Sequence, residues 1–250
     1  MAEISMGSGI PPHSEADWLA AVETALRGKA FDSLTTKDVD GIIRQPLYTD
    51  ATRKTSEASA GLPGLAPFTR GSHAVSDKHL PWHIAQRVVV GRGAADNAHI
   101  LTDLSGGVSA LLLDLSATKS ITASELESLL EGVMLDIAPV ILAPAACGVD
   151  GILAFLDLLA RRHEDNQSLS AYLNFDPFAE ALDNNQPVSS QGLETLVARA
   201  QNLPGLSLMT ASGAAFHNQG AAPTDELAYM LAALTEDLRL LEANGLVPEE

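Results

Sequence analysis

Residues 62–90 read LPGLAPFTRGSHAVSDKHLPWHIAQRVVV, and the stretch changes character along its length. Its first half is punctuated by Pro63, Gly64, Pro67 and Gly71, residue types that set turns and loops. It ends in Val88, Val89 and Val90, whose β-branched side chains suit a pleated strand. The chain therefore passes here from a loop into a first strand. Beyond it, short apolar runs alternate with segments of helical spacing, which predicts a parallel sheet with crossover helices.

Toward the C-terminus, the first strand is predicted over 86–90, followed by a helix with Ala98, Leu101 and Leu104 on one side and Gly106 and Gly107 at its end. Residues 108–115 form a largely apolar run closed by Asp114, as expected for a strand covered on both faces. Thr122 and Glu125 have the spacing of a capping box, and Leu126, Leu129, Leu130 and Val133 continue the helix they open. A third strand is predicted over 139–143. The next helix carries Ile152, Phe155, Leu156 and Leu159, and ends in Arg161, Arg162 and His163, which suit the negative end of its dipole. The fourth strand is expected over 170–174, a short helix after Pro177, and a longer one on Leu193, Leu196, Val197 and Ala200. A fifth strand over 206–210 leads to a last helix from Thr224 through Leu227, Met230, Leu231, Leu234, Leu238 and Leu241, stopping at Gly245.

Upstream, residues 1–12 are rich in Gly, Ser and Pro and are expected to be mobile. Ser14 and Asp17 form a helix start, and Trp18, Leu19, Val22 and Leu26 share a face that ends near Gly28. This defines the expected class as α/β: an N-terminal arm and helix over 1–61, then an incomplete (β/α) barrel over 62–250. A closed TIM barrel has about eight strand and helix units. Five are legible here, and the last four residues would lead toward a sixth strand.

Composition narrows the function. With 15 basic against 32 acidic residues, the formal charge is -17, which disfavours nucleic acid and anionic membrane because phosphate contact needs clustered Lys and Arg. Cys147 is the single cysteine, so neither an internal disulfide nor a multi-cysteine metal site is expected. No run approaches the roughly 20 apolar residues of a membrane span, and residues 1–18 lack the pattern of a secretory signal. A cytoplasmic protein is the expectation.

The ordered set Leu62, Pro63, Gly64, then Pro67, Phe68, Thr69, Arg70, Gly71, then Pro81, Trp82, Ile84 and Gln86 resembles the entry to the barrel of the adenosylcobalamin-dependent methylmalonyl-CoA mutase family. The resemblance extends from about Trp18 to Gly245. It implies that Pro46, Leu47, Tyr48 and Thr49 belong to an arm laid across a neighbouring subunit; an ordinary surface strand is the other reading of that segment. It also implies where catalytic groups would stand. The tyrosine that follows the I-x-Q segment in catalytic subunits is Arg87 here, the arginine of that triplet is Ala85, and the tyrosine after R-G-P is His73. The S-G-Y-H segment of active subunits reads Ser212, Gly213, Ala214, Ala215, and two alanines offer no side-chain hydrogen bond. The family's Q-N-D is Asn174, Phe175, Asp176, and no arginine stands near Asn184 where one is expected.

The resemblance thus implies a noncatalytic small subunit, or an N-terminal piece of one, paired in a heterodimer with a catalytic large subunit. That complex interconverts methylmalonyl-CoA and succinyl-CoA. No cofactor is expected on this chain, and adenosylcobalamin is expected on the partner. An alternative is an acyl-CoA-binding barrel enzyme of altered substrate with Arg87 as its anion contact, since guanidinium suits carboxylate and phosphate. A truncated product without independent activity is a third reading.

The remaining polar residues read more simply. His217 is expected to be hydrogen-bonded into a loop. His73, His79 and His83 with Asp77 have metal-like spacing but no second supporting element. Asp77, Lys78 and His79 imitate the start of a cobalamin-binding motif, yet Trp82 stands where its glycine belongs. Cys147 reads as a small buried thiol without a paired base, and Asp114, Asp136 and Asp150 read as caps and loop ends.

Overall fold

A computed structural model of the chain describes residues 9, 11–49, 52, 61–75, 80, 82–91, 93–118, 120–143, 148–162, 169–201 and 203–246. The chain divides into two compact units, Met1–Ala74 and Val75–Glu250.

In the first unit, α1 (Glu15–Leu26) starts at the expected capping box, with Asp17 N–H donating to Ser14 Oγ and Ser14 N–H to the Asp17 carboxylate. It has no buried residue, and Trp18 instead meets Phe31 edge-on at 6.1 Å between ring centroids. After a 3-10 turn (Phe31–Leu34), β1 (Thr36–Lys37) and β2 (Ile43–Arg44) form an antiparallel hairpin. Asp38 ties its turn, accepting from Ile42 N at 2.8 Å and from Arg44 at 3.2 Å. Residues 46–49 are irregular rather than a strand, and the exposed Tyr48 accepts at its hydroxyl from Gln45 N. Residues 1–8, 10, 76–79, 81, 144–147 and 163–168 lie outside the described set, and with them Asp77, Lys78, His79, Pro81, Cys147 and His163.

The second unit carries five parallel strands in chain order: β3 (Ala85–Val89), β4 (Ala110–Asp114), β5 (Val140–Leu142), β6 (Ala171–Phe175) and β7 (Leu206–Met209). Between them run α2 (Ala94–Ser105), α3 (Ala123–Leu129), α4 (Gly148–Arg162), α5 (Pro177–Asn184) and α6 (Leu193–Ala200). After β7 come α7 (Ala214–Asn218) and α8 (Pro223–Ala243). Every crossover steps one strand in the same direction. Right-handed connections then place their helices on one side of the sheet, and α3 packs against α2 and α4, as α4 does against α6. This is barrel winding rather than the two-sided winding of an open nucleotide-binding sheet. The arc is not closed, and β3 and β7 are its edges.

Side chains alternate faces along a strand, and here they sort cleanly. Leu111 and Leu113 of β4, Val140 and Leu142 of β5, and Leu173 of β6 join Leu126, Leu130, Phe155 and Leu158 in one core under the helices. The opposite face carries Arg87, Val89, Leu112, Asp114, Ile141, Tyr172 and Asn174. It is open, with Val89 48% and Tyr172 44% exposed. The α2 helix is rotated from expectation: Asp96 and Ile100 are fully buried, whereas Leu101 is 39% exposed. Asp96 is turned inward because its carboxylate accepts from Gly91 N at 2.9 Å, closing the loop from β3.

Candidate functional site

In barrels, reacting groups sit at the carboxyl ends of the strands. Parallel pairing in register sets Val89 beside Asp114 and Arg87 beside Leu112. Arg87 and Asp114 therefore share the open face, two residues apart in register. Arg87 Nε donates to Asp114 Oδ2 at 3.1 Å, and its Nη2 makes a shorter contact with the same oxygen. The other oxygen accepts from Ser116 N at 2.9 Å. Burial pushes the Asp114 carboxyl up, but the bonds from Ser116 and the charge of Arg87 more than offset this and hold it below the ordinary carboxylate range. Asp114 is thus a buried counter-ion, beyond the capping role read from sequence. Arg87 already serves a carboxylate whose side chain is only 3% exposed, while its own side chain remains 64% exposed.

At the fourth strand, Asn174 takes a left-handed φ of 51° and donates from Nδ2 to Leu142 O at 2.8 Å, bracing β6 against β5. Asp176 caps α5 by accepting from Ala179 N, and bridges to the fifth strand's loop by accepting from Ser212 N, each at 2.8 Å. Its burial, only partly offset by these bonds, pushes its carboxyl up.

The segment 212–215 lies where β7 turns into α7. Ala214 is exposed and Ala215 buried at the start of that helix, and Ser212 Oγ accepts from Ala214 N at 3.3 Å. His217 pairs through Nδ1 with Glu226 of α8, so its local structural role was legible but its partner was not. His73 contacts the Ser72 hydroxyl through Nδ1 at 3.0 Å, and His83 contacts Ser109 O through Nδ1 at 3.2 Å. They lie in different units, and His79 and Asp77 lie outside the described residues. Among the described residues no cluster of His, Cys, Asp and Glu could hold a metal ion.

A cleft of about 930 Å³ opens beside the carboxyl ends of β4 and β6, between Leu115, Phe175 and the first turn of α4. Gly192 forms one wall with φ +87°, and a Cβ there would stand 2.6 Å from Val149 Cγ1. Its charged lining groups are Asp150 and Glu180, and no described lining residue is a cation. Such a wall offers hydrogen bonds but no counter-charge for phosphate.

Comparison with known proteins follows the same direction. Residues 37–121 match the methylmalonyl-CoA mutase family. The methylmalonyl-CoA mutase small subunit of Streptomyces virginiae is 30% identical over 99% of this chain and 41% of its own length. A probable methylmalonyl-CoA mutase small subunit of Mycobacterium bovis is 36% identical over 86% of the chain and 34% of its own length. The large subunit from Streptomyces virginiae is 24% identical over 98% of the chain and 37% of its own length. The chain therefore spans about two fifths or less of the relatives it matches. Among the described residues, no helix is long and apolar enough to cross a membrane.

Proposed function

Since this chain belongs to the methylmalonyl-CoA mutase family, we propose that it acts as, or as the N-terminal part of, the noncatalytic small subunit of a heterodimeric mutase. Its partner is a catalytic large subunit, which carries adenosylcobalamin and performs the radical interconversion of methylmalonyl-CoA and succinyl-CoA in the cytoplasm. This chain contributes a barrel scaffold that buries part of the partner's surface. The observation that carries the reading is the alignment: over nearly the same span, identity is 30% to the Streptomyces virginiae small subunit and 24% to its large subunit.

The strand ends support that assignment. Arg87 is engaged by Asp114, and Ala214 and Ala215 can neither donate nor accept a side-chain hydrogen bond where the family resemblance places Tyr and His. His217 contacts Glu226 and His83 the Ser109 carbonyl, each through Nδ1.

Co-expression with the large subunit from the same source tests the proposal. The expected result is a complex that survives size exclusion, with the large subunit more soluble than when expressed alone. Two separate species and an unchanged large subunit would refute it.

A further inference from the structure

We infer that the seating of α8 on the second unit is controlled by a proton on Asp237. Helix α8 is 21 residues long, yet its buried residues are only Ala233 and Asp237. Much of its apolar surface is open, Leu227, Leu231, Leu234 and Leu238 being 60%, 66%, 48% and 47% exposed, while Leu240 and Leu241 near its end pack against the core. Asp237 is 3% exposed, and neither carboxylate oxygen has a hydrogen-bond partner among the described residues. Two turns earlier the Tyr229 hydroxyl is also buried and unpartnered, under the stacked ring of Phe216 from α7. A carboxylate buried without partner or counter-ion is costly, whereas the neutral acid is tolerated far better.

Among the described residues, the surrounding elements supply no compensating charge. Asp176, at the junction of β6 and α5, faces Asp237 with the same sign, and Asp183 of α5 acts on Tyr229 and Asp176. His217 of α7 is taken by Glu226, Arg199 of α6 by Asp157 of α4, and Arg239 on α8 by Glu236. Burial first, and Asp176 second, push the Asp237 carboxyl up to about 7 from 3.8. The seated helix therefore binds the proton more tightly than the released helix. Seating is firmest below the released value, weakens as pH rises from about 4 through about 7, and changes no further above that. Release would remove one wall, Leu238 and Leu241, of the apolar groove of about 660 Å³ and leave Leu206 and Leu208 of β7 uncovered.

Hydrogen exchange of the full chain, read by mass spectrometry at pH 5.5, 7.0 and 8.5 and corrected for intrinsic exchange rates, tests this. Between the end points the protection of peptides from 223–243 is expected to fall about thirtyfold, the change in the seated-to-released ratio for a group titrating near 7. Peptides from α4 should hold their protection. Asp237→Asn and Asp237→Leu should each abolish the pH dependence, with the leucine variant more protected than wild type at pH 8.5. Protection of α8 that does not vary with pH in the wild type, or the same fall in a folded variant, would overturn the inference.

Discussion

Replacing Arg162 with alanine should destabilise the second unit far more than removing an ordinary surface charge. The side chain leaves the last turn of α4 with only 13% exposure and reaches across to the end of α3. There Nη2 donates to Leu130 O at 2.7 Å and Nη1 to Val133 O at 3.2 Å, while Nε pairs with Glu127 at 3.0 Å. The last carbonyls of a helix have no partner within it, and α3 has only seven residues, with Leu130 as its cap. Leu130 and Val133 are 0% and 5% exposed, so water cannot readily replace the guanidinium.

The magnitude follows from those contacts. A hydrogen bond to a charged group contributes about 1.5–3 kcal/mol, and two are lost, although desolvation of the guanidinium offsets part of that. The Glu127 carboxylate is 47% exposed, so its pair with Arg162 contributes at most about 1 kcal/mol. The expected loss for Arg162→Ala is about 3 kcal/mol in urea unfolding at pH 7, against under about 1 kcal/mol for Glu127→Ala. Arg162→Lys should recover less than half, because an ammonium cannot span two carbonyls with a fixed fork. A loss below about 1 kcal/mol for Arg162→Ala, or full recovery by lysine, would refute the claim that the fork caps α3.

Two further substitutions probe the strand ends. Asp114→Asn should lower the melting temperature at pH 7, and the gap to wild type should close in acid. Its depressed carboxyl contributes stability above the unfolded value of 3.8 that is lost as pH falls through the lower folded value; a gap independent of pH would contradict the ion-pair reading. Gly192→Ala should cost about 2 kcal/mol, from a positive φ and from overpacking against Val149. In that background Val149→Ala should cost less than it does alone, as measured by a double-mutant cycle, and strict additivity would rule out the contact.

Local signals were the legible part of the sequence. The capping boxes at Ser14 and Thr122 need only side chains three residues apart, and both form. The five strands occur where apolar runs predict them, because each run is short and bounded by Gly, Pro or polar residues. Features that depend on distant partners were hidden. Arg162 read as a favourable charge at a helix end, whereas its two carbonyl acceptors lie about thirty residues earlier, in and beyond the cap of α3. The short helix α7 was missed because it packs against α5 and against α8, where Phe216 stacks on Tyr229, a residue that follows it in sequence. Asp237 gave one usable signal: it sits four residues after Ala233, on the side of α8 that is buried.

The Arg87–Asp114 pair shows how a barrel scaffold can persist while its strand ends change. A guanidinium where the family resemblance places a phenol adds a charge to the inner face of β3, and such a charge is costly if it is buried alone. Parallel register sets Asp114 within reach on the neighbouring strand, and Ser116 N fills its second oxygen. Each Asp114 oxygen is occupied, and Nε and Nη2 of Arg87 are turned onto one of them. Breaking the pair would strand a carboxylate whose side chain is 3% exposed, whereas the Arg87 side chain itself stays 64% exposed, so the pair fixes the guanidinium without burying it. The pair therefore supports the open face of the arc as structure, with Asp114 as its buried member and Arg87 as its exposed one.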